Sequence, residues 1–209
     1  MFTNTGKYIP QPEIDYFFWP CLSGEKYPPT FAGGGAYGSG DNGFNYTTAP
    51  SSGGTTTWPV MPQYSANQVR DYATYANKSF TATRLSCWIK PKGNYYSSNQ
   101  YLYLAPSLYY RFYLGGALTT IYLTSSGWGS GSKNLFIGDI KDTWCRLETE
   151  FSYSSLLNVW ALSTITFNGT VVTFSSTPTY NLLNGWQFRI QSTDASSSIN
   201  LAYPLIEYG

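Results

Sequence analysis

The chain has 209 residues, of which 11% are charged and 19% are aromatic, and its formal net charge is +1. A chain of this length can bury a large core within a single domain. Its near-neutral charge, without any basic cluster, argues against an electrostatic nucleic-acid binder, which needs a stripe of Lys and Arg. No apolar run approaches the roughly 18 residues of a membrane span, and the N-terminus lacks the pattern of a signal peptide.

The first 30 residues are predicted to form an extended arm. They contain five prolines and the aromatic run Tyr16-Phe17-Phe18-Trp19. Because this run is too apolar to remain in water, we expect it to lie against the same domain or to dock on a neighbouring subunit. Residues 31–74 are rich in Gly, Ser and Thr. That composition is typical either of a linker or of long sandwich loops with early strands between them.

From residue 75 to residue 209, short runs alternate apolar and polar residues, which predicts antiparallel strands. Residues 79–90 place Leu85, Cys87 and Ile89 on one face, opposite Arg84, Ser86, Trp88 and Lys90. Further strands are predicted at 101–105, 108–114, 118–124, 134–138, 186–191 and 198–208. Proline cannot donate to a strand ladder, so Pro204 requires an edge position or a bulge in the last of them.

Residues 142–174 contain the most regular predicted unit, a strand followed by a hairpin. Asn168 and Gly169 form its two-residue loop, because Asn-Gly suits the positive φ angles of a type I′ turn. Paired residues share a sheet face. The resulting register places Ile165, Phe167, Val172 and Phe174 on one face, and Thr164, Thr166, Thr173 and Trp160 on the other.

About ten short strands predict an all-β antiparallel sandwich, or jelly roll. Four motifs in order resemble laminin-G-like and concanavalin A-like domains: SFTATRLSCWIKPK, Asp142-Thr143-Trp144 with the alternating strand after it, the Asn-Gly hairpin, and the closing INLAYPLIEYG. This resemblance covers residues 75–209. It implies two facing antiparallel sheets with a concave face or rim that often binds glycans and sometimes calcium. The fold hosts lectins, glycanases, adhesion modules and virus structural proteins, so it does not define a function.

The sequence argues against an enzyme. It contains no histidine, which removes the commonest general base. Laminarinase-like glucanases of the resembling fold class use Glu-x-Asp-x-x-Glu; residues 13–18 begin like that motif but end in phenylalanine. Glu148 and Glu150 form a close pair of carboxylates on one strand face. Arg146 lies on the same face, and an ion pair explains the carboxylates without catalysis.

Metal and disulfide sites receive little support from the sequence. Asp139 and Asp142 flank one loop and are the candidate calcium ligands, but calcium takes about six to eight oxygens, and a solvated turn explains both acids. We therefore expect no cofactor. The cysteines Cys21, Cys87 and Cys145 are odd in number and lack metal-ligand spacing. They are interpreted as small buried thiols rather than as disulfide partners.

The strongest binding signal is a set of aromatic residues on two neighbouring predicted strands. If their Leu and Phe residues face the core, the remaining residues form an outward surface, which Trp160 joins by its parity. The set is Tyr101, Tyr103, Tyr109, Arg111, Tyr113 and Trp160. Amphipathic rings of this kind stack on sugars or anchor protein interfaces. The bland interpretation, that both sheet faces are covered and the tyrosines pack under loops, outweighs either binding interpretation taken alone.

The favoured function is a non-enzymatic structural or adhesion protein of a virus particle, such as a bacteriophage capsid decoration, fibre or tail accessory. The absent leader, the low charge, the missing catalytic set and the apolar arm motivate this prediction. Its partners would be other virion proteins, further copies of itself and host glycans, without nucleic acid or a membrane span. The alternative is an extracellular, free carbohydrate-binding module, with a glycanase ranked last.

Overall fold

Two antiparallel β-sheets make up the described part of the chain. The computed structural model describes residues 16–50, 53–61, 80–93, 98–105, 108–114, 120–125, 133–136, 140–172, 179–180, 185–193 and 196–209. Within these ranges every regular element is a strand, and no helix of a length and apolarity suited to crossing a bilayer occurs among them. The all-β antiparallel prediction is confirmed.

Sixteen strands follow one another in the described residues. They are β1 (Tyr16–Phe18), β2 (Thr30–Ala32), β3 (Ala36–Asp41), β4 (Phe44–Ala49), β5 (Thr55–Thr57), β6 (Ala82–Lys92), β7 (Ser98–Ala105), β8 (Leu108–Leu114), β9 (Thr120–Ser125), β10 (Lys133–Phe136), β11 (Cys145–Ser154), β12 (Val159–Phe167), β13 (Thr170–Val172), β14 (Thr179–Tyr180), β15 (Arg189–Ser192) and β16 (Ser198–Tyr208).

The strands divide into two sheets with many connections between distant parts of the chain. Sheet A has the order β13-β12-β11-β6-β16-β4-β3, with β1 also paired to β16 and β14 to β12. Sheet B has the order β10-β9-β8-β7-β15-β5-β2. The last strand, β16, lies at the centre of sheet A between β6 and β4. The centre of sheet A thus joins strands that lie far apart in the sequence.

The core lies between the two sheets and is filled by their inward-facing side chains. On β6, Leu85, Cys87 and Ile89 are fully buried, as their alternation predicts. Burial of a large side chain stabilises the fold by about 1.5–3 kcal/mol. The largest buried side chains are aromatic and include Trp19, Trp58, Trp160, Trp186, Tyr110, Phe112, Phe151 and Phe188.

The predicted hairpin at Asn168-Gly169 is confirmed. Both residues have positive φ, 45° and 78°, as a type I′ turn requires. Phe167 pairs with Thr170, and Ile165 pairs with Val172. The side chain and backbone of Asn168 also bond to the backbone of Arg146 on the neighbouring strand β11. The predicted partners Thr173 and Phe174 lie outside the described residues.

The outward orientation predicted for Trp160 is wrong, because β12 contains a β-bulge. Between consecutive residues of β11 the partner on β12 moves from Thr164 to Leu162, which leaves Ser163 without a partner. One extra residue reverses the alternation of everything before it. Trp160 therefore points into the core, where it is 1% exposed, and does not belong to a surface site.

The aromatic run of the predicted arm is divided between core and surface. β1 adds to sheet A beside β16, and Phe17 and Trp19 are buried in this chain's own core. These two residues are therefore not available to dock on another subunit, contrary to the prediction. Tyr16 and Phe18 face outward and are each 49% exposed. Docking through these two stays a prediction, and residues 1–15 lie outside the described part of the chain.

The Gly/Ser/Thr-rich segment contributes strands β2 to β5 rather than a linker over residues 30–57. A second Asn-Gly turn lies within it, because Asn42 and Gly43 have φ angles of 53° and 80° and join β3 to β4. This turn was not predicted, although the same dipeptide predicted the later hairpin at Asn168 and Gly169. The strands on either side of this turn contain glycine and threonine and lack alternating large apolar residues, so their sequences did not predict strands.

Pro204 lies at a bulge, as predicted. The register of β16 against β6 shifts between Ala202 and Leu205, and Tyr203 adopts a positive φ of 50° at this position. The Pro204 carbonyl accepts a hydrogen bond from the Trp19 backbone N–H. The bulge thus fits a proline into a central strand without leaving its carbonyl unpaired.

The three cysteines are free and buried, which confirms their interpretation as small core residues. Burial raises the pKa of Cys21 to about 12, and it also raises the pKa of Cys87 and of Cys145. A thiol with a raised pKa remains protonated and unreactive at neutral pH.

Candidate functional site

The predicted tyrosine and arginine surface forms on the outer face of sheet B. Leu102 and Leu104 of β7, and Tyr110 and Phe112 of β8, are buried in the core. Because successive side chains alternate between faces, the residues between them point away from the core. Tyr101, Tyr103 and Arg111 are accordingly partly exposed. These three, with Arg189 and Gln191 of the adjacent strand β15, are named the Tyr/Arg surface.

The side chains of the Tyr/Arg surface stack on one another in a diagonal ladder. The Arg111 guanidinium lies 5.1 Å from the centre of the Tyr101 ring. Tyr101 stacks on Tyr103 at 6.1 Å with an interplanar angle of 27°. The Arg189 guanidinium lies 5.1 Å from the Tyr103 ring. Cation–π and aromatic contacts of this kind are worth about 0.5–1.5 kcal/mol each, so they hold the ladder in a preformed arrangement.

Hydrogen bonds at one end of the ladder converge on Gln191. Its Oε1 accepts from the Tyr103 hydroxyl at 3.4 Å and from Arg189 Nη2 at 3.2 Å. The three side chains come together because of the register between β15 and β7, in which Gln191 pairs with Tyr101 and Arg189 pairs with Tyr103. The guanidinium and hydroxyl groups are thereby oriented before any ligand arrives.

Sequence reasoning found one half of this surface and missed the other. In residues 186–191 the apolar Trp186, Phe188 and Ile190 alternate with Gln187, Arg189 and Gln191, and this pattern predicts that Arg189 and Gln191 face outward. Only the sheet order, with β15 beside β7, brings them next to Tyr103. The register also pairs Tyr109 with Tyr103 and Tyr113 with Asn99, but the side chains of Tyr109 and Tyr113 lie outside what the structure describes.

The outer face of sheet A carries a second aromatic group. Tyr203 stacks between Phe18 at 6.1 Å and Phe44 at 5.5 Å, and Phe44 stacks on Trp144 at 4.5 Å. The inner rings of this row have their faces covered by neighbouring rings. The rings of this row are largely apolar, and the Tyr203 hydroxyl already accepts a hydrogen bond from the Asn45 backbone N–H. The row therefore offers fewer polar groups to a sugar than the Tyr/Arg surface does.

Sheet A also borders a cleft of about 330 Å³, whose lining includes Arg84, Glu150 and Glu207. Arg84 Nε and Nη2 donate to Glu150 Oε1 at 2.9 Å and 2.5 Å, and Arg84 Nη1 lies 4.0 Å from Glu207. This hydrogen bond with Glu150 raises the pKa of Arg84. All three side chains are about half exposed, so the pairs add little stability.

The close carboxylate pair of β11 is held by arginines. Arg146 Nη2 lies 3.5 Å from Glu148 Oε1, which confirms the predicted ion pair for that residue. Glu150 is bound instead by Arg84 of the neighbouring strand β6. Each carboxylate thus has a guanidinium partner on the same outer face.

No group of three or more His, Cys, Asp or Glu side chains gathers within the part of the chain that the structure describes. Asp142 occupies a turn with a φ of 55°, and its backbone N–H donates to the Pro91 carbonyl. Asp139, the other candidate calcium ligand, lies outside the described residues. The expectation that this loop is a solvated turn and that the protein has no cofactor therefore stays a prediction.

No protein-family model matches the chain, and no curated protein matches its sequence. Solved structures do resemble it. Crh5 transglycosylase has a TM-score of 0.54 at 12% identity, over 93% of this chain and 85% of that one. The Emp47p carbohydrate recognition domain has a TM-score of 0.54 at 8% identity, over 92% and 95%.

The binding domain of botulinum neurotoxin DC is similar with a TM-score of 0.50 at 11% identity, over 88% of this chain and 44% of that one. Identities this low show the fold and nothing further. The fold is an antiparallel sandwich, or jelly roll, of the concanavalin A-like kind that the sequence motifs resembled.

Proposed function

We propose that this protein is a non-catalytic glycan-binding domain whose ligand lies on the Tyr/Arg surface. The observation that carries the proposal is the convergence of Tyr101, Tyr103, Arg111, Arg189 and Gln191 from three adjacent strands onto one partly exposed face.

The chemistry of this face suits sugars. Tyrosine hydroxyls, guanidinium N–H groups and a glutamine amide supply donors and acceptors that match the hydroxyls of a glycan. The ladder holds Tyr103 and Arg189 in place before binding. Little side-chain entropy is then lost when the ligand binds. Strands also position side chains more rigidly than loops do.

The fold similarity supports the proposal without deciding it. One similar structure is a carbohydrate recognition domain, and another, a transglycosylase, has been solved in complex with NAG. Glycan binding is therefore a function that this jelly roll performs in other proteins.

Non-catalytic action is part of the proposal and is supported by the ion pairs of β11. A retaining glycosidase uses one carboxylate as nucleophile and another as general acid. Glu148 and Glu150 each have an arginine partner on the same face, and they lie on sheet A, away from the Tyr/Arg surface. A Glu148→Gln/Glu150→Gln double variant should bind glycans like the natural protein.

Adhesion on a virus particle is the biological setting that we propose for this domain. Tyr16 and Phe18, which are half exposed on β1, would contribute to docking on other virion proteins. The alternative is a free carbohydrate-binding module. Size-exclusion chromatography distinguishes the two: self-association that Tyr16→Ser/Phe18→Ser abolishes supports the docking role, whereas a monomer at all concentrations supports the free module.

A glycan array tests the binding proposal directly. The Tyr101→Ala/Tyr103→Ala variant should lose about tenfold or more in affinity for any glycan that the natural protein binds. Tyr16→Ala is the matched control, because it removes an exposed tyrosine from sheet A. Thermal melting should show both variants folded. A folded double variant with unchanged affinity would remove the Tyr/Arg surface from the binding site.

A further inference from the structure

The two sheets differ sharply in charge. The strands of sheet B contain three basic residues, Arg111, Lys133 and Arg189, and no Asp or Glu. The strands of sheet A are balanced. Their acidic residues are Asp41, Glu148, Glu150 and Glu207, and their basic residues are Arg84, Lys90, Lys92 and Arg146. The strands of sheet B are therefore net positive, although the formal net charge of the whole chain is only +1.

Arg84 and Arg146 of sheet A differ from Arg189 of sheet B in their partners. Arg84 and Arg146 of sheet A each contact a carboxylate. Arg189 of sheet B contacts the Tyr103 ring and the Gln191 amide oxygen, both uncharged. Stacking and one neutral hydrogen bond orient its guanidinium without neutralising it. Such a group retains its attraction for an anion.

The two guanidinium groups lie at opposite ends of the ladder. Arg111 pairs with Tyr101 on one side of β7, and Arg189 pairs with Tyr103 on the other side. They are thus separated by two strand spacings across the sheet and two residues along it. This geometry puts their Cα atoms about 12 Å apart. A short oligosaccharide can bridge that distance, whereas one monosaccharide with a single charge can contact only one end.

We infer that the Tyr/Arg surface selects acidic oligosaccharides, whose carboxylate or sulfate groups pair with Arg189 and Arg111. This inference rests on the proposed glycan-binding function and names its ligand class. Arginine forms bidentate hydrogen bonds to planar carboxylates and to oxyanions of tetrahedral geometry. It stays charged at every physiological pH. Tyr101 and Tyr103, between the arginines, provide hydroxyls for the uncharged part of the sugar.

The test compares polymers that share a backbone and differ in charge. Polygalacturonate is compared with highly methyl-esterified pectin, and dextran sulfate with dextran, by calorimetry or biolayer interferometry. The acidic member of at least one pair should bind about tenfold more tightly at low salt, and that advantage should shrink as ionic strength rises. The first pair reports on carboxylates and the second on sulfates.

Arg189→Gln and Arg111→Gln are the site variants, since glutamine keeps a hydrogen-bond donor and removes the charge. Each should lose most of the preference for the acidic polymer. Arg84→Gln on sheet A is the matched control and should retain it. Thermal melting of each variant checks that the fold survives.

The outcomes separate the two proposals. Equal affinity for acidic and neutral polymers, or an acidic preference that both site variants retain, overturns the charge selectivity and leaves glycan binding intact. Failure of the natural protein to bind any glycan on the array overturns both.

Discussion

Trp160 packs edge-on against Trp186, with ring centroids 5.1 Å apart and an interplanar angle of 77°. Both indoles are buried in the core. The contact exists because Ser163 is an unpaired residue in β12, which turns Trp160 from the outer to the inner face. A single bulged serine thus decides whether the largest side chain of the strand belongs to the surface or to the core.

Trp160→Ala should be severely destabilising. Truncation of a buried tryptophan typically costs about 3–5 kcal/mol, and urea denaturation monitored by circular dichroism measures the loss. Trp160→Phe should cost less, because the indole N–H has no hydrogen-bond partner among the described residues. Leu156→Ala is the control: its side chain is 91% exposed, so its free energy of unfolding should change by less than about 0.5 kcal/mol.

Deletion of Ser163 should be tolerated, whereas deletion of Thr166 should not. Without Ser163, Leu162 and Thr164 become consecutive and keep their present partners on β11. The cost is then about 1 kcal/mol, for a lost hydrogen bond to the Ser152 hydroxyl at 3.0 Å. Thr166 lies in the regular ladder, and its loss turns every inward residue before it to the wrong face. Cooperative thermal unfolding of the Thr166 deletion would contradict this account.

Local turns were readable from the sequence, and long-range pairing was not. Asn168 and Gly169 determine the register of their hairpin, because Asn and Gly readily adopt the positive φ angles that the turn requires. The bulge at Ser163 depends on how β12 pairs with β11, and none of the residue types at the bulge predicts it. Pro204 shows the intermediate case: proline signalled that some irregularity was needed, without specifying its form.

The same division applies to the candidate site. Tyr101, Tyr103 and Arg111 could be assigned to one face because β7 and β8 are adjacent in the chain and alternate regularly. Arg189 lies more than 70 residues after Arg111 by their numbering. Its place beside Tyr103 follows from sheet order alone. The charge asymmetry between the sheets could likewise be recognised only once each strand had been assigned to a sheet.

Gly169→Ala should destabilise the hairpin by about 1–2 kcal/mol, the cost of a left-handed conformation for a residue with a Cβ. Nothing lies within 4 Å of the position that this Cβ would occupy, so backbone strain is the sole cause. Gly43→Ala should cost a similar amount for the same reason, since Gly43 has a φ of 80° and equal space. Chemical denaturation measures both, with Ser155→Ala at an exposed turn position as the control.

Stability should fall at alkaline pH because of the buried thiols. Burial raises the pKa of Cys21 to about 12, whereas a thiol in the unfolded chain titrates at about 8.5. The stability that comes from keeping the thiol neutral is complete below the unfolded pKa. It then decreases by about 1.4 kcal/mol per pH unit as pH rises towards the folded pKa.

Urea denaturation at intervals between about pH 8 and pH 9.5 checks this prediction, since most tyrosines of the unfolded chain, with a pKa of about 10, remain protonated in that window. The natural protein should lose stability steadily, and Cys21→Ala should show a shallower slope whatever its stability at neutral pH. Equal slopes for the two proteins would show that the Cys21 thiol does not contribute.

Gln191→Glu should abolish the preference for acidic glycans as fully as Arg189→Gln does. The new carboxylate would lie beside Arg189, whose Nη2 already bonds to this side chain at 3.2 Å. An ion pair there neutralises the guanidinium while keeping both side chains in place, so thermal stability should be unchanged or slightly raised. Gln191→Ala distinguishes the position of the Arg189 guanidinium from its charge, because it removes the hydrogen-bond acceptor of Arg189 and leaves the charge. This variant should bind acidic glycans more weakly, and its binding should still depend on salt. An unaltered acidic preference in Gln191→Glu would show that Arg189 does not contact the ligand.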